Sequence, residues 1–434
     1  MRETMNILRF DQPGFDDAVR RACAVSSLID PQIDERVAAV IAEVRARGDQ
    51  ALIDLTQRFD RVELTAARLT VTEPTPSADA ALRSAVAAAR KNVAAFAKRS
   101  LPRDWRMRNA QGGRVGEKFD PLQRVGIYIP GGTAPLVSTA LMTVVLAQVA
   151  GCPEIVVCTP PNRDFRSLIH PGLLYAVRRA GATEIYRVGG AQAMAALALG
   201  TDSIRRVQKV FGPGNAYVTA AKRLLYGVVD VDLLAGPSEL LVIGDDTADA
   251  RFVAADMLAQ AEHGSGHERV WLVTASSKLI EATLQELDRQ RAALARGHLI
   301  GQALDRNGVC VLAKDLKQAV RVANEFAPEH LEIMVRNPAR LVPQLKTAGA
   351  LFVGPWSPTV VGDYLAGPSH ELPTGGGGLS FSGLTVDQFC RRTSVVELTR
   401  AALLKSMPAL ETFGSVEGLD AHVASARVRF EVGD

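Results

Sequence analysis

The chain has 434 residues, 47% of them hydrophobic and 22% charged, which excludes an intrinsically disordered chain and gives length for two or three domains with their own cores. With 50 basic residues against 47 acidic ones the formal net charge is only +3, and no long run of either sign occurs. A phosphate-tracking basic stripe is thereby excluded, and nucleic acid is not an expected partner.

The five cysteines, at 23, 152, 158, 310 and 390, form no CxxC pair, so neither a disulfide framework nor a thiolate metal site is expected. A reducing cytoplasm is the default compartment. The opening MRETMNILRF lacks the apolar core of a signal peptide. The uncharged run 125–153 is broken by Pro130, Gly131, Gly132 and Pro135 into a strand, a turn and a buried helix, so no membrane span is expected.

In chain order, residues 31–47 carry apolar side chains at helical intervals and stop at Gly48, and 78–98 repeat the pattern before Pro102. From Arg124 the rhythm changes to short β-rich runs, RVGIYIP, EIVVCTPP and TEIYRVGG, each followed by a helical stretch, which predicts a parallel sheet covered by helices. A second series follows in SELLVIGDD, ERVWLVTAS, GVCVLAKD, HLEIMVRN and GALFVG, with helices predicted over 278–295 and 316–326. Residues 355–381 are rich in Gly, Pro and Ser, too irregular for a strand or helix; long loops in compact domains tend to be functional. The tail from Thr385 reads as helical and mixed. The expected class is therefore α/β, with two Rossmann-like parallel-sheet domains and small helical N-terminal and C-terminal segments.

Three glycine turns each follow a strand and open a helix: 129–135, 188–193 and 211–217. None has the GxGxxG form. A single such turn only makes a tight βα connection, but three in one sheet favour a nucleotide or another anion, because free N–H groups at helix starts point at it.

The stretch MLAQAEHG ends a helix that begins near Ala248 and must stop at Gly264. Helical spacing puts Asp256, Gln260 and His263 on one face, which can offer a metal donors or simply cap the last carbonyls. His267 has i, i+4 spacing from His263, but Gly264 and Gly266 should end the helix between them, so it is discounted as a ligand. His170 and His298, at loop edges, are expected to be solvated. Glu329 and His330 stand side by side at the start of a strand, where an imidazole and a carboxylate can share proton transfer. Gln260, His263, Asp363 and His422 make an oxygen and nitrogen donor set that suits zinc or manganese, although spacing alone does not bring them together.

The strings RVGIYIPGG, STALM, VAGC, VGGAQA, FGPGN, AGPSE, LAQAEHG, APEHLE, GDY, LPT and AHVAS run from the first sheet to the last histidine, and with them the chain resembles the histidinol dehydrogenase family. The resemblance implies NAD-dependent oxidation of L-histidinol to L-histidine through the aldehyde, the last step of histidine biosynthesis, with one zinc and an NAD domain of atypical Rossmann-like form. Carried over by position, Gln260, His263, Asp363 and His422 would be the zinc ligands, and Glu329 and His330 the acid–base pair. Ser238 and Glu417 would join His330 and the zinc ligands in holding the substrate, while Tyr128, Gln192 and Asn215 would lie along NAD. The family is a homodimer whose site is completed by the partner's tail, so Glu417 and His422 are expected to act in trans. The implied division is a helical segment over 1–25; a first α/β domain of 26–127 and 239–382 carrying most metal and catalytic residues; an NAD domain of 128–238; and a tail domain of 383–434. Two other readings compete: a paralogous zinc- and NAD-dependent dehydrogenase of another hydroxy compound, and a metal-dependent hydrolase, which would not need the glycine turns.

Overall fold

The computed structural model describes residues 5–24, 29–131, 135–165 and 168–431. Within them the chain builds two parallel sheets. The six-stranded sheet runs Asn6–Arg9, Gly308–Leu312, Arg269–Thr274, Glu239–Gly244, His330–Met334, Ala350–Val353. The five-stranded sheet runs Glu184–Arg187, Glu154–Thr159, Arg124–Tyr128, Lys209–Phe211, Asp230–Val231. Every adjacent pair in both is parallel. Central strands such as Glu239–Gly244 and Gly308–Leu312 are buried at every position, and their unbroken apolar character follows because helices cover both faces.

Around the five-stranded sheet, Val37, Ile41 and Leu52 pack with Met194 and Val218 on one face. Val86 and Val93 pack with Val144 and Val177 on the other. The six-stranded sheet is covered by Phe15 and Phe326 on one side and by Val253, Met257 and Ile300 on the other. Among the described residues no helix is long and apolar enough to cross a membrane.

The packing corrects several expectations. Helices Pro31–Arg47 and Ala80–Ser100 lie on the five-stranded sheet, not on the sheet formed by 239–353, so residues 31–100 do not share a core with 239–382. The strand Arg124–Tyr128 also straddles the expected edge at 127 and 128, because it pairs with Glu154–Thr159. The N-terminal segment is not purely helical: Asn6–Arg9 pairs with Gly308–Leu312 as an edge strand before the helix Phe15–Cys23. In the tail, Cys390–Glu397 pairs antiparallel with Arg114–Pro121, which also holds Trp105–Arg108, and only then do the helices Arg400–Glu417 and Asp420–Arg427 follow. The Gly-rich stretch 355–381 contains a short α-helix, Thr359–Tyr364, and a 3-10 turn, Gly377–Leu379.

Candidate active site

A cleft of about 540 Å³ lies between the two sheets. On one wall stand Pro135 and Pro213, which follow strands of the five-stranded sheet; on the other stand Ser238, Glu329 and His330, where strands of the six-stranded sheet begin. The C-terminal edge of one sheet therefore faces the N-terminal edge of the other. Gln260 and His263 reach the same edge because their helix, Ala250–Ala261, runs back along the sheet after the strand Glu239–Gly244.

The proton-transfer pair is held by a single residue of the neighbouring strand. The Glu239 N–H donates to Glu329 Oε2 at 2.9 Å, and the Glu239 carbonyl lies 3.1 Å from His330 Nδ1. A carbonyl accepts only, so Nδ1 carries the hydrogen and Nε2 is the basic nitrogen. That nitrogen is buried without a hydrogen-bond partner, 3.8 Å from Asp363 Oδ1. Burial pulls the imidazole down to about 4, against the opposing pull of Asp363, so it is neutral at neutral pH. Burial raises the Glu329 carboxyl well above the usual range, the carboxylates of Glu239, Asp363 and Glu371 adding to the effect. A carboxyl raised in this way exchanges its proton closer to neutral pH than an ordinary carboxylate does, as a proton-transfer group requires. Glu239 is fixed in turn by Arg269, 3.0 Å from its carboxylate.

Gln260, His263 and Asp363 line this cleft together. Gln260 is 2% exposed, and its Nε2 has no partner. His263 bonds the Gln260 carbonyl through Nδ1 at 2.9 Å, which leaves Nε2 for another use. Asp363 comes from the short helix Thr359–Tyr364 rather than from an irregular loop. Amide, imidazole and carboxylate form an oxygen and nitrogen set appropriate to zinc, the amide offering its carbonyl oxygen and the imidazole its free Nε2. Among the described residues no three His, Cys, Asp or Glu side chains gather closely enough to hold a metal by themselves. Glu417 and His422 do not line the cleft; both are exposed on the tail helices. Asp256 does not line it either and instead faces Glu332.

Three participants escaped the sequence reading. His370 lies half-buried beside Asp363, its Nδ1 3.0 Å from the Asp363 carbonyl, its Nε2 3.3 Å from Thr139 Oγ1 and 3.4 Å from Glu371 Oε1. Burial pulls it down, but Glu371 and Asp363 more than offset this and raise it above the ordinary histidine value. The string SHEL places an imidazole beside a carboxylate as APEHLE does, which was the available signal. His170, expected to be solvated, instead caps the helix Pro171–Ala180, accepting the Gly172 N–H at 3.1 Å.

The nucleotide candidates cluster at the C-terminal edge of the five-stranded sheet. Buried Tyr128 accepts the Gly190 N–H at 3.1 Å through its hydroxyl, and buried Gln192 lies in the helix that turn opens. Asn215 caps the helix Ala216–Leu225 by accepting from Tyr217 and Val218. Gly132, Thr133 and Ala134 of the first glycine turn lie outside the described residues. Gly212 has φ +109°, and a Cβ there would sit 2.0 Å from the Tyr128 carbonyl oxygen. Gly212→Ala is therefore expected to cost at least about 2 kcal/mol of stability and to displace the turn that bears Asn215; denaturant unfolding measures the first effect and dinucleotide titration the second.

With glycine turns on one wall and a poised proton acceptor on the other, the cleft is that of an α/β dehydrogenase. Residues 25–430 match the family model described as histidinol dehydrogenase. The chain belongs to the histidinol dehydrogenase family. It is 43% identical over 410 residues to the histidinol dehydrogenase of Heliobacterium mobile, covering 93% of this chain and 95% of that one. Against the enzyme of Geobacillus kaustophilus it is 43% identical over 424 residues, 96% and 99% of the two chains. The crystal structure of histidinol dehydrogenase from Elizabethkingia anophelis superposes with a TM-score of 0.93 at 32% identity, covering 99% of each chain.

Proposed function

We propose that this chain oxidises L-histidinol to L-histidine through the aldehyde, using two NAD and one zinc, as the last step of histidine biosynthesis. The observation that carries the reading is His330 Nε2, buried and unpartnered in the same cleft as Gln260, His263 and Asp363. When bound, zinc supplies a Lewis-acidic anchor for the substrate's nitrogen donors and NAD accepts the hydride. Neutral His330 takes the hydroxyl proton as the alcohol carbon loses hydride, giving the aldehyde. Glu329 then takes a proton from the water that adds to the aldehyde and returns it to the aldehyde oxygen, giving the hydrate; His330, its first proton released to solvent, takes one from that hydrate as the second hydride leaves. Each oxidation releases one proton and forms one NADH, so the acid forms with no thioester. Burial pushes the thiol of Cys310 up to about 12 and raises that of Cys158 strongly too, in keeping with that route. Ser238 holds the substrate from the cleft wall, and Tyr128, Gln192 and Asn215 lie along NAD at the glycine turns.

In the same reading the active form is a homodimer, each cleft receiving Glu417 and His422 from the partner's tail. Exposed apolar side chains support it. Phe413 and Val416 on the tail are 64% and 81% exposed, and Trp356 near the cleft helix is 85% exposed. Phe413 and Val416 stand one helical turn apart, and large apolar side chains exposed together in this way are normally covered by a partner. The cytoplasm is the assigned compartment, in keeping with the unpaired thiols.

The test is stoichiometry under metal control: two NADH per L-histidinol consumed, lost on chelation and restored by zinc. One NADH per substrate, with another hydroxy compound preferred, would point to a paralogous dehydrogenase. Hydrolysis without NADH would overturn the reading.

A further inference from the structure

Glu332 is 1% exposed, and its two oxygens face different elements. Oε1 accepts the Thr359 N–H at 3.0 Å, at the start of the helix Thr359–Tyr364. The rest of the carboxyl lies at hydrogen-bond range of Asp256, on the helix Ala250–Ala261. No N–H or O–H donor reaches Oε2, and one proton shared with the facing Asp256 carboxyl would satisfy both groups. Burial raises Asp256 to about 6 and Glu332 well above the usual range, in agreement with that proton.

The positions of the three partners are what give the contact a meaning. Glu332 lies two residues beyond His330, on the same face of its strand. Asp256 lies one helical turn before Gln260, and Thr359 one turn before Asp363. One buried junction thus joins the strand bearing the base to the two helices bearing the candidate metal donors, one step behind each functional side chain.

We propose that Glu332 is a positioning residue for the cation site: with Asp256 and the Thr359 N–H it fixes the spacing of His330, Gln260 and Asp363 that zinc and substrate require. This rests on the zinc reading above. Such outer partners typically govern metal affinity by 10- to 100-fold (order of magnitude).

Two near-isosteric substitutions separate positioning from packing. Glu332→Gln keeps an acceptor for Thr359 and a donor for Asp256; Glu332→Met keeps the volume and removes both. With full-length protein and zinc in competition with a chromophoric chelator, E332M is expected to raise the zinc Kd by about 10- to 100-fold, while E332Q stays within about threefold of wild type. If E332M does not fold, Thr359→Pro removes the same N–H at a first helical position, where proline is accommodated after the extended Pro358, and the same loss is expected. Wild-type zinc affinity in folded E332M or T359P, or equal losses in E332Q and E332M, would overturn the inference and leave the zinc reading standing. A wild-type protein that takes up no zinc sinks the zinc reading, and this inference with it.

Discussion

Replacing His330 by Asn is expected to slow both hydride transfers by about 10²- to 10⁴-fold, the usual worth of a positioned base. Asparagine can still meet the Glu239 carbonyl, so the strand register and the site walls should survive; what is lost is the nitrogen that faces Asp363 at 3.8 Å. Glu329→Gln is expected to behave differently. Its amide oxygen can still accept the Glu239 N–H, but it cannot take a proton from water. Single-turnover NADH formation from histidinol should then keep its first phase and lose its second, and supplied aldehyde should be oxidised slowly. Equal damage to both phases by both variants would refute the division of labour between the two groups.

The second large effect concerns the tail. His422→Ala is expected to abolish activity in a homogeneous preparation, although His422 is exposed on its own chain and absent from its own cleft. Mixed after dissociation with His330→Ala protein, itself inactive, it should recover activity. In a mixed dimer one cleft combines an intact His330 with an intact partner tail, and random reassociation of equal amounts yields about one quarter of the wild-type rate. Recovery tracks a shared site; its absence would place all the ligands on one chain.

Much of the architecture was legible because buried parallel strands are apolar along their whole length and glycine punctuates the turns between them and their helices. The alternation at 124–128, 154–159, 239–244 and 269–274 could be read directly as strands. Which sheet a helix packs on was not legible. Residues 31–60 show an amphipathic period that says one face is buried but not against what, and contact with Met194 or Val218 lies more than a hundred residues away in the chain. Asn6–Arg9 is too short for its alternation to stand out. Within the site, Glu329 and His330 are adjacent in sequence and so gave themselves away, whereas Glu332, Thr139 and His370 take their meaning from neighbours that only folding supplies. Asp256 shows the limit most clearly: its helical spacing from Gln260 offered it as a ligand, yet it turns to Glu332.

The peptide groups of Glu239 hold both members of the proton-transfer pair, and these groups belong to the main chain. No change of side chain at 239 can delete the carbonyl, and only proline can delete the N–H. The support is therefore stored in an alignment, His330 set opposite Leu240, rather than in the identity of any residue. A lineage that kept this alignment could exchange the lining of the cleft, and with it the compound oxidised, while handing down an intact frame for the base.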